Sequence, residues 1–288
     1  RAQVPPSTPF FRKNVAFARR ICSIMPMTAD TLTIPKRAGG LTVYAPGEGN
    51  AITASDASLS QVELINKKRA VLAQLSQELT DDALISITDF LFTEMGYALA
   101  LQEDKELING TGAGATYFGV RGLLNRIGSA AVSTAATGHD TWPELDIHDF
   151  TAAIGLLPER FDRNVSWVCS RNFYYTAMLN VLASGGGNTI ATLTAGAAGN
   201  PMFLGYPVYF TSQMPTSTAA STKCALFGSF EQGVVLGDRG GLAISRDDSV
   251  GFTSDLITLK ATSRYDIQVH EPGTSSAVGA YVALSTAS

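Results

Sequence analysis

The stretch VVLGDRGGLAIS, residues 234–245, contains the residue types of a phosphate-binding loop. Its distinctive residues are three glycines and one charged pair: Gly237, Gly240, Gly241, Asp238 and Arg239. Backbone N–H groups of a glycine-rich loop bind phosphate where the loop leads into a helix N-terminus. Here the strand-like runs GVVL and LAIS flank the glycines, and no helix is predicted to follow. The pattern therefore predicts a turn between two strands, with positive φ at Gly240 and Gly241, and not a nucleotide site.

A second glycine pattern, NGTGAGA at residues 109–115, matches GxGxxA through Gly110, Gly112 and Ala115. A dinucleotide fingerprint needs a strand before the glycines and a helix after them. Here a predicted helix comes first, and the following YFGVRGLL lacks a convincing helical pattern. A loop that terminates the helix is the better interpretation, so we expect no cofactor.

The three histidines are His139, His148 and His270, and the first two form His-Asp dipeptides with Asp140 and Asp149. Such dipeptides resemble those of metal-dependent phosphohydrolases. A metal site needs further ligands placed on helices, and no other histidine remains in the predicted helical parts. We therefore expect both dipeptides to be solvent-facing helix residues, and we predict no metal site.

Nucleophilic catalysis also lacks a matching set of residues. No GxSxG elbow occurs, and SWVCS around Cys169 is typical of a buried strand, which argues against catalysis by Cys169 and His270. With Cys22 and Cys224 the cysteines are odd in number and form no CxxC, so neither a disulfide framework nor a zinc site is predicted. The charge run Lys67–Arg69 is expected to be a solvated face. The chain is therefore not expected to be an enzyme.

Residues 80–109 predict a long helix. Thr80 is a favourable N-cap, the acids Asp81 and Asp82 complement the helix dipole in the first turn, and Gly110 follows the end. An apolar stripe recurs at every third or fourth position: Leu84, Ile87, Leu91, Met95 and Ala98. A helix of this span is about 40 Å long and suits the spine of a flat subunit.

Residues 28–75 predict an extended hairpin. The β-like runs TLTIP and GLTVYA are separated by the turn KRAGG, and the tip APGEGNAITASDASLS is rich in small residues. A hairpin with so few large apolar residues at its tip cannot build its own core. It must lie on the body of the subunit or on a neighbour.

The second half of the chain predicts a mixture of helices and strands. Helical patterns at residues 146–157 and 171–183 flank a strand at residues 165–170. Further strand-like runs follow, among them YPVYFTSQMP, CALFGSF, the alternating DLITLKATSRYDIQVHEP and the final AVGAYVALST. These elements predict the α+β class.

The amino-acid composition is low in charged residues, which would fit a subunit whose surface is partly buried in contacts with other subunits. Charged residues are only 16% of the 288, against 45% hydrophobic residues, which fits a subunit covered by neighbours as well as a rather apolar monomer. No apolar run is long enough for a membrane span. Residues 1–37 carry seven basic side chains and one acid, Asp30, on a chain of net charge −4. A basic N-terminal arm could contact an acidic neighbouring subunit. Ordinary solvation of a terminal segment explains the charges equally well. Seven scattered charges are weak evidence for nucleic-acid binding.

The order of segments resembles the major capsid proteins of tailed phages with the Hong Kong 97-type fold. The matching pieces include GEGNAITASDASLSQVELINKKRAVLAQLSQELTDDA, ITDFLFTEMGYALALQEDKELINGTGAG with FGVRGLL, FLGYPVYFTSQMP, and ALFGSFEQGVVLGDRGGLAISRDDSVGFTSDLITLKATSRYDIQV. The resemblance runs from about residue 10 to the C-terminus. It implies a protein that acts by assembly and not by catalysis.

The resemblance implies five parts. They are an N-terminal arm (1–27), an extended E-loop (28–75), a peripheral domain with the spine helix (76–142), an axial domain (143–235) and the C-terminal strands of the peripheral domain (236–288). Copies would form the pentamers and hexamers of an icosahedral shell around double-stranded DNA, assembled in the cytoplasm of a host bacterium and found in the virion. A portal, a scaffold or protease, and decoration proteins are the implied partners. The alternatives are an encapsulin-like nanocompartment and a gene transfer agent capsid.

Some members of this family join neighbouring subunits through a lysine–asparagine isopeptide bond promoted by a glutamate. The matching positions in this chain hold Ile52, Asp255 and Thr262, so all three groups are absent. We therefore predict a shell without isopeptide crosslinks. Members also commonly lose an N-terminal segment to a protease, and a sequence that begins at Arg1 is compatible with that.

Overall fold

The protein is described by a computed structural model, which covers residues 16–37, 43–45, 47–49, 59–78, 87–114, 116–184 and 201–288. The helices are α1 (Ala18–Ile21), α2 (Ile87–Asn109), α3 (Leu123–Arg126), α4 (Ile147–Gly155), α5 and α6 (Phe230–Gly233). Helix α5 combines Arg171–Phe173, a π-helical turn at Tyr174–Met178 and Leu179–Ser184. No helix in these ranges is long and apolar enough to cross a membrane.

The strands in the described ranges form three sheets. In chain order they are β1 (Ser23–Pro26), β2 (Thr31–Arg37), β3 (Leu59–Ile65), β4 (Lys67–Ser76), β5 (Val132–Thr134), β6 (Ser166–Cys169), β7 (Met202–Phe203), β8 (Tyr206–Phe210), β9 (Lys223–Gly228), β10 (Val234–Gly251), β11 (Leu256–Val269) and β12 (Tyr281–Ser285). The sheet orders are β1-β10-β11-β4, β5-β12-β9-β6-β8-β7, and β2-β3.

The long helix α2 packs on one face of the four-stranded sheet. Met95 and Leu99 of the helix meet Leu75 of β4 and Ile257 and Leu259 of β11. These strand residues alternate with outward-facing ones, because successive side chains of a strand point to opposite faces. The helix spans 23 residues, which corresponds to about 34 Å.

The apolar stripe of the long helix differs from its prediction. Thr80, Asp81, Asp82 and Leu84 lie outside the described residues, and Met95 is buried as expected. Ala98, however, is exposed, and Leu99 is buried instead. Ala98 and Leu99 lie three and four residues after Met95, so both fit the helical spacing. Leu99 faces the sheet because the larger leucine side chain buries more apolar surface than alanine.

The predicted hairpin ends earlier than residue 75. Strands β2 and β3 pair antiparallel from Thr31–Ile65 to Arg37–Leu59. Strand β4 instead pairs along its whole length with β11, so Lys67–Ser76 belongs to the four-stranded sheet. The reason is burial: the inward-facing residues of β4 find a core beneath the long helix that the hairpin alone lacks.

The six-stranded sheet holds an aromatic core. Trp167 lies 4.6 Å from Phe227 between ring centroids, and Phe150 of α4 packs edge-on at 4.9 Å from Phe203. All five residues of the last strand, β12, are buried between β5 and β9. Residues 236–288 therefore contribute strands to two sheets. A strand with no exposed residue needs cover on both faces, and this core supplies it for β12.

Candidate functional site

The glycine-rich stretch at residues 234–245 is one continuous strand and not a turn. The pairing of β10 with β11 shifts between Asp238–Tyr265 and Leu242–Ser263, so residues 239–241 oppose Arg264 alone. The glycines supply the positive φ that was predicted, 75° at Gly240 and 64° at Gly241. The prediction of a chain reversal was wrong. The two successive left-handed residues form a β-bulge within one strand, and the pairing with β11 resumes after it.

The charged pair of this bulge contacts elements far away in sequence. Arg239 forms an ion pair with Asp30 at the base of the β2–β3 hairpin. Asp238 accepts a hydrogen bond from Arg19 of α1 at 2.8 Å. The bulge therefore ties the sheet to the hairpin and to the N-terminal helix, and its side chains are engaged within the chain.

Arg19 bridges two acids. Besides Asp238, it donates two hydrogen bonds to Glu103 of the long helix, at 2.8 and 3.0 Å. The Glu103 side chain is fully buried and that of Arg19 is 10% exposed. Paired donors on one carboxylate fix both distance and orientation, so this contact sets how α1 sits against α2.

A second buried pair joins β4 to the long helix. Arg69 donates to Glu106 at 2.6 and 3.3 Å and to the carbonyl oxygens of Lys67 and Tyr265. The guanidinium also lies 4.0 Å from the centroid of the Tyr265 ring. Burial raises the pKa of Glu106, and the hydrogen bond and charge of Arg69 offset this only in part.

This pair corrects one prediction. The run Lys67–Arg69 was expected to be solvated, yet Arg69 is 2% exposed. Alternation along β4 turns Lys68 outward and Arg69 inward, where Glu106 forms an ion pair with it. Lys67 is also engaged, because its ammonium donates to the carbonyl oxygen of Phe118.

Asp104 of the long helix holds the start of α1. Its carboxylate accepts hydrogen bonds from the backbone N–H groups of Phe17, at 3.2 Å, and Ala18, at 2.8 Å. Burial raises the pKa of Asp104 to about 6, although the two N–H donors act in the opposite direction. A carboxylate from one helix thus caps another helix.

These contacts converge on the C-terminal half of the long helix. We call them the charge junction, which consists of Arg19, Arg69, Glu103, Asp104, Glu106 and Asp238. Sequence reasoning missed all of the acids on the helix. The available signal was three acids in four residues, EDKE, just beyond a helical stripe, but nothing local distinguishes buried from solvated carboxylates.

The other sequence candidates serve structure. Gly110 follows α2, and a Cβ there would lie 2.5 Å from the carbonyl oxygen of Val120, while Gly112 has a φ of 80°. This is the predicted helix-terminating loop; Ala115 lies outside the described residues.

The cysteine and histidine considered for nucleophilic catalysis lie on different elements. Cys169 lies buried in β6, and burial raises the pKa of its thiol. His270 follows β11, where its Nδ1 lies 3.7 Å from Glu271.

The histidines of the two His-Asp dipeptides do not pair with the aspartates next to them in sequence. His139 contacts Asp149 at 2.7 Å, not its neighbour Asp140, while His148 is exposed. Asp149 is 5% exposed and also accepts from the N–H groups of Ala136 and Asp146. The prediction that both dipeptides face solvent was therefore wrong for Asp149, whose carboxylate is required by the cap of α4.

Among the described residues, His139, Asp146 and Asp149 are the one group spaced closely enough to hold a metal. Oδ1 of Asp146 accepts two N–H groups of α4, and the carboxylate of Asp149 accepts the N–H groups of Ala136 and Asp146. Burial opposes ionisation of Asp149, yet these hydrogen bonds outweigh it and lower its pKa. The hydrogen bond to Asp149 raises the pKa of His139. The arrangement is a capping cluster.

Two of the three positions that correspond to isopeptide crosslinking lie among the described residues. Asp255 is exposed in a left-handed turn before β11, and Thr262 is half-buried within that strand. Ile52 lies outside the described residues. Neither described position carries the asparagine or glutamate of the crosslinking members.

The sequence profile of the phage capsid family matches residues 13–274. The major capsid protein of Klebsiella oxytoca phage phiKO2 is 25% identical over an alignment of 228 residues that covers 76% of this chain and 50% of that protein. The chain therefore spans about half the length of this curated relative.

Solved structures share the fold. The capsid of a native GTA particle superposes with a TM-score of 0.79 at 20% identity, covering 100% of this chain and 93% of that one. A chain of Mycobacterium phage Adephagia superposes with a TM-score of 0.70 at 15% identity, covering 93% and 89%. The α+β fold is thus that of Hong Kong 97-like capsid proteins, as the resemblance implied. With the profile matched over most of its length, this chain belongs to the phage capsid family.

Proposed function

We propose that this chain is a major capsid protein, whose copies assemble into the pentamers and hexamers of an icosahedral shell around double-stranded DNA. The family match over residues 13–274 is the observation that carries this proposal. In this function the chain acts through contacts between copies, and the charge junction keeps each copy rigid enough to present them.

The β2–β3 hairpin supports assembly. Among the described strands, β2 and β3 pair only with each other. In the part of the hairpin that the structure describes, the apolar packing lies at the base, where Leu32 and Ile34 join Met27, Leu64 and Val235. An isolated two-stranded hairpin is marginally stable in water, so the distal part gains most from the surface of a neighbouring subunit.

The parts of the subunit have separate roles in this proposal. Residues 1–27 form the arm, and the hairpin forms the E-loop that overlaps a neighbour. The long helix and four-stranded sheet form the peripheral domain. The six-stranded sheet with α4 and α5, which takes in the final strand β12, forms the axial domain around the five- and six-fold centres.

The proposed shell has no isopeptide crosslinks. The positions concerned hold Ile52, Asp255 and Thr262, none of which can form a lysine–asparagine bond with glutamate assistance. Denaturing gels of intact particles should show monomer only. Covalent ladders above the monomer would contradict this part of the proposal.

The contents of purified particles test the proposal as a whole. A capsid encloses nuclease-resistant DNA, whereas an encapsulin-like compartment encloses a protein cargo. A gene transfer agent capsid is the second candidate, since the GTA capsid covers the whole of this chain in the structural comparison. Sequencing the enclosed DNA separates the two: one repeated genome supports a phage, and random host fragments support a transfer agent. A portal, a scaffold or protease, and decoration proteins are the proposed partners within the virion.

A further inference from the structure

Strand β4 has the longest free edge among the described strands. It pairs on one side with β11, and no described strand pairs with its other side. The pairing with β11 runs from Lys67–Tyr265 to Ser76–Leu256 without a register shift. The free edge is therefore regular along its whole length, and the N–H and C=O groups of every second residue point away from β11.

The other edges of the two larger sheets are short. Strand β1 has four residues and ends at Pro26, which has no N–H group to donate. Strands β5 and β7 have three and two residues. Proteins prevent unwanted pairing at an edge with short strands, proline, bulges or charges. Strand β4 has charges at one end only, and from Ala70 to Ser76 it has none of these features.

The face of β4 that points away from the long helix lacks cover at its centre and an acid at one end. Leu72, in the middle of the strand, is 60% exposed. Lys68 lies directly opposite Arg264 of β11, and both are exposed. Neither cation forms an ion pair with an acid of the described ranges. Like charges directly opposite each other destabilise a sheet, so this end favours an acid from outside.

We propose that the β4 edges of two copies of this chain pair antiparallel about a two-fold axis, with Leu72 opposite Leu72. A two-fold axis at Leu72 places Ala70 of one copy opposite Gln74 of the other, and Lys68 opposite Ser76. All of these side chains then share one face of a sheet that continues from one subunit into the next. Main-chain hydrogen bonds join the two edges, as in other cases of strand addition.

The charges of β4 complement one another in this arrangement. The Lys68 residues of the two copies lie at opposite ends, about 27 Å apart. Glu78 is exposed and lies two residues beyond the end of β4, so the pairing brings it beside Lys68 of the other copy. The symmetry makes this contact twice. A parallel pairing would instead place like charges against each other along Lys67–Arg69.

This contact goes beyond the proposed function. A shell of pentamers and hexamers needs contacts between these rings as well as within them. A contact on a two-fold axis uses the same surface of both copies, and the β4 edge is complementary to itself. Two subunits are enough to form it, so it can be tested without a shell.

Oxidation of dispersed subunits that carry Leu72→Cys tests the two-fold contact. Opposite Cα atoms of an antiparallel pair lie about 4.5 or 5.5 Å apart, which is within the range of a disulfide. Oxidised glutathione should join Leu72→Cys into dimers about tenfold faster than Tyr175→Cys, because the contact raises the effective concentration of the two thiols. Tyr175 of α5 is the matched control, with 61% exposure against 60% for Leu72. The native cysteines are buried and do not compete. Equal rates on non-reducing gels would overturn the proposal.

A mixture of two variants tests the register and does not depend on the folding of Leu72→Cys. Ala70→Cys and Gln74→Cys change exposed positions that lie opposite each other across the proposed axis. Each position lies about 13 Å from its own copy, too far for a disulfide. The mixture should therefore form disulfide dimers, and each variant alone should not. Dimers formed as fast by one variant alone, or none in the mixture, would overturn the proposal. Neither result depends on a shell, so failure here is distinct from failure of the proposed function.

Discussion

Arg69 and Glu106 form an ion pair at 2.6 Å in which neither side chain has more than 2% of its surface exposed. The pair joins the edge strand β4 to the long helix beneath the four-stranded sheet. Because the charges are withdrawn from water, each depends on the other, and the contact dictates how β4 and the helix align.

We predict that Arg69→Met destabilises the subunit by about 3–5 kcal/mol, because Glu106 would be left buried without its partner. The double variant Arg69→Met with Glu106→Leu should be more stable than Arg69→Met alone, since no buried charge remains. Urea unfolding of dispersed subunits measures both. The control is Lys68→Met, one residue earlier on the exposed face of β4. A loss in Lys68→Met as large as that in Arg69→Met would contradict the assignment.

We predict that Asp104 makes the subunit less stable as the pH rises from about 4 to about 6. Its pKa is raised from 3.8 to about 6 by burial, so the folded chain holds a proton in this window that the unfolded chain has lost. Stability from this group is therefore complete below the unfolded value and is lost as pH rises through the folded one. Unfolding of Asp104→Asn, measured across the same range, should show a flatter profile. Glu94→Gln, exposed on the same helix, serves as the control, and identical slopes in all three proteins would exclude this role for Asp104.

We predict a second pH dependence from His139. Its pKa is raised by the hydrogen bond to Asp149, so its stabilising contribution is complete below the ordinary value of 6.5 and is lost as pH rises through the folded value. His139→Gln should reduce the difference in unfolding midpoint between pH 5.5 and pH 8. The control is His148→Gln, which changes an exposed ring. If His148→Gln reduced the difference and His139→Gln did not, the pairing would be wrong.

One glycine inside the long helix and one just beyond its end should respond in opposite directions to alanine. A Cβ at Gly96 meets nothing within 4 Å, so Gly96→Ala should stabilise the dispersed subunit by about 0.5–1 kcal/mol through helix propensity. A Cβ at Gly110 would lie 2.5 Å from the carbonyl oxygen of Val120, so Gly110→Ala should destabilise by about 2 kcal/mol. Thermal unfolding of the two variants compares them directly. The same sign of change in both would refute the packing described at the helix end.

Periodicity and order of segments predicted much of the fold. The long helix, the helix at Ile147–Gly155 and the strand around Cys169 follow from local patterns, because these elements bury one face or are buried throughout. The order of segments also predicted the capsid fold. The contacts of β4 and β12 were not predictable, since pairing depends on which distant strand offers a complementary core.

The charge junction was out of reach for a related reason. Glu103, Asp104 and Glu106 look like solvated helix residues until Arg19, Arg69 and the N–H groups of α1 are brought to them from more than 30 residues away. Burial of a charge is stable only with such partners, and sequence spacing does not reveal them. In the same way, the sequence indicated positive φ at Gly240 and Gly241. It did not indicate whether the chain reverses there or forms a β-bulge within one strand.

Whether this chain forms a capsid shell can be tested by electron microscopy of the purified chain, concentrated under assembly conditions, together with a denaturing gel. We predict closed icosahedral shells built from pentamers and hexamers, which dissociate to monomer alone on the gel. Discrete monomers at high concentration under all conditions would contradict it.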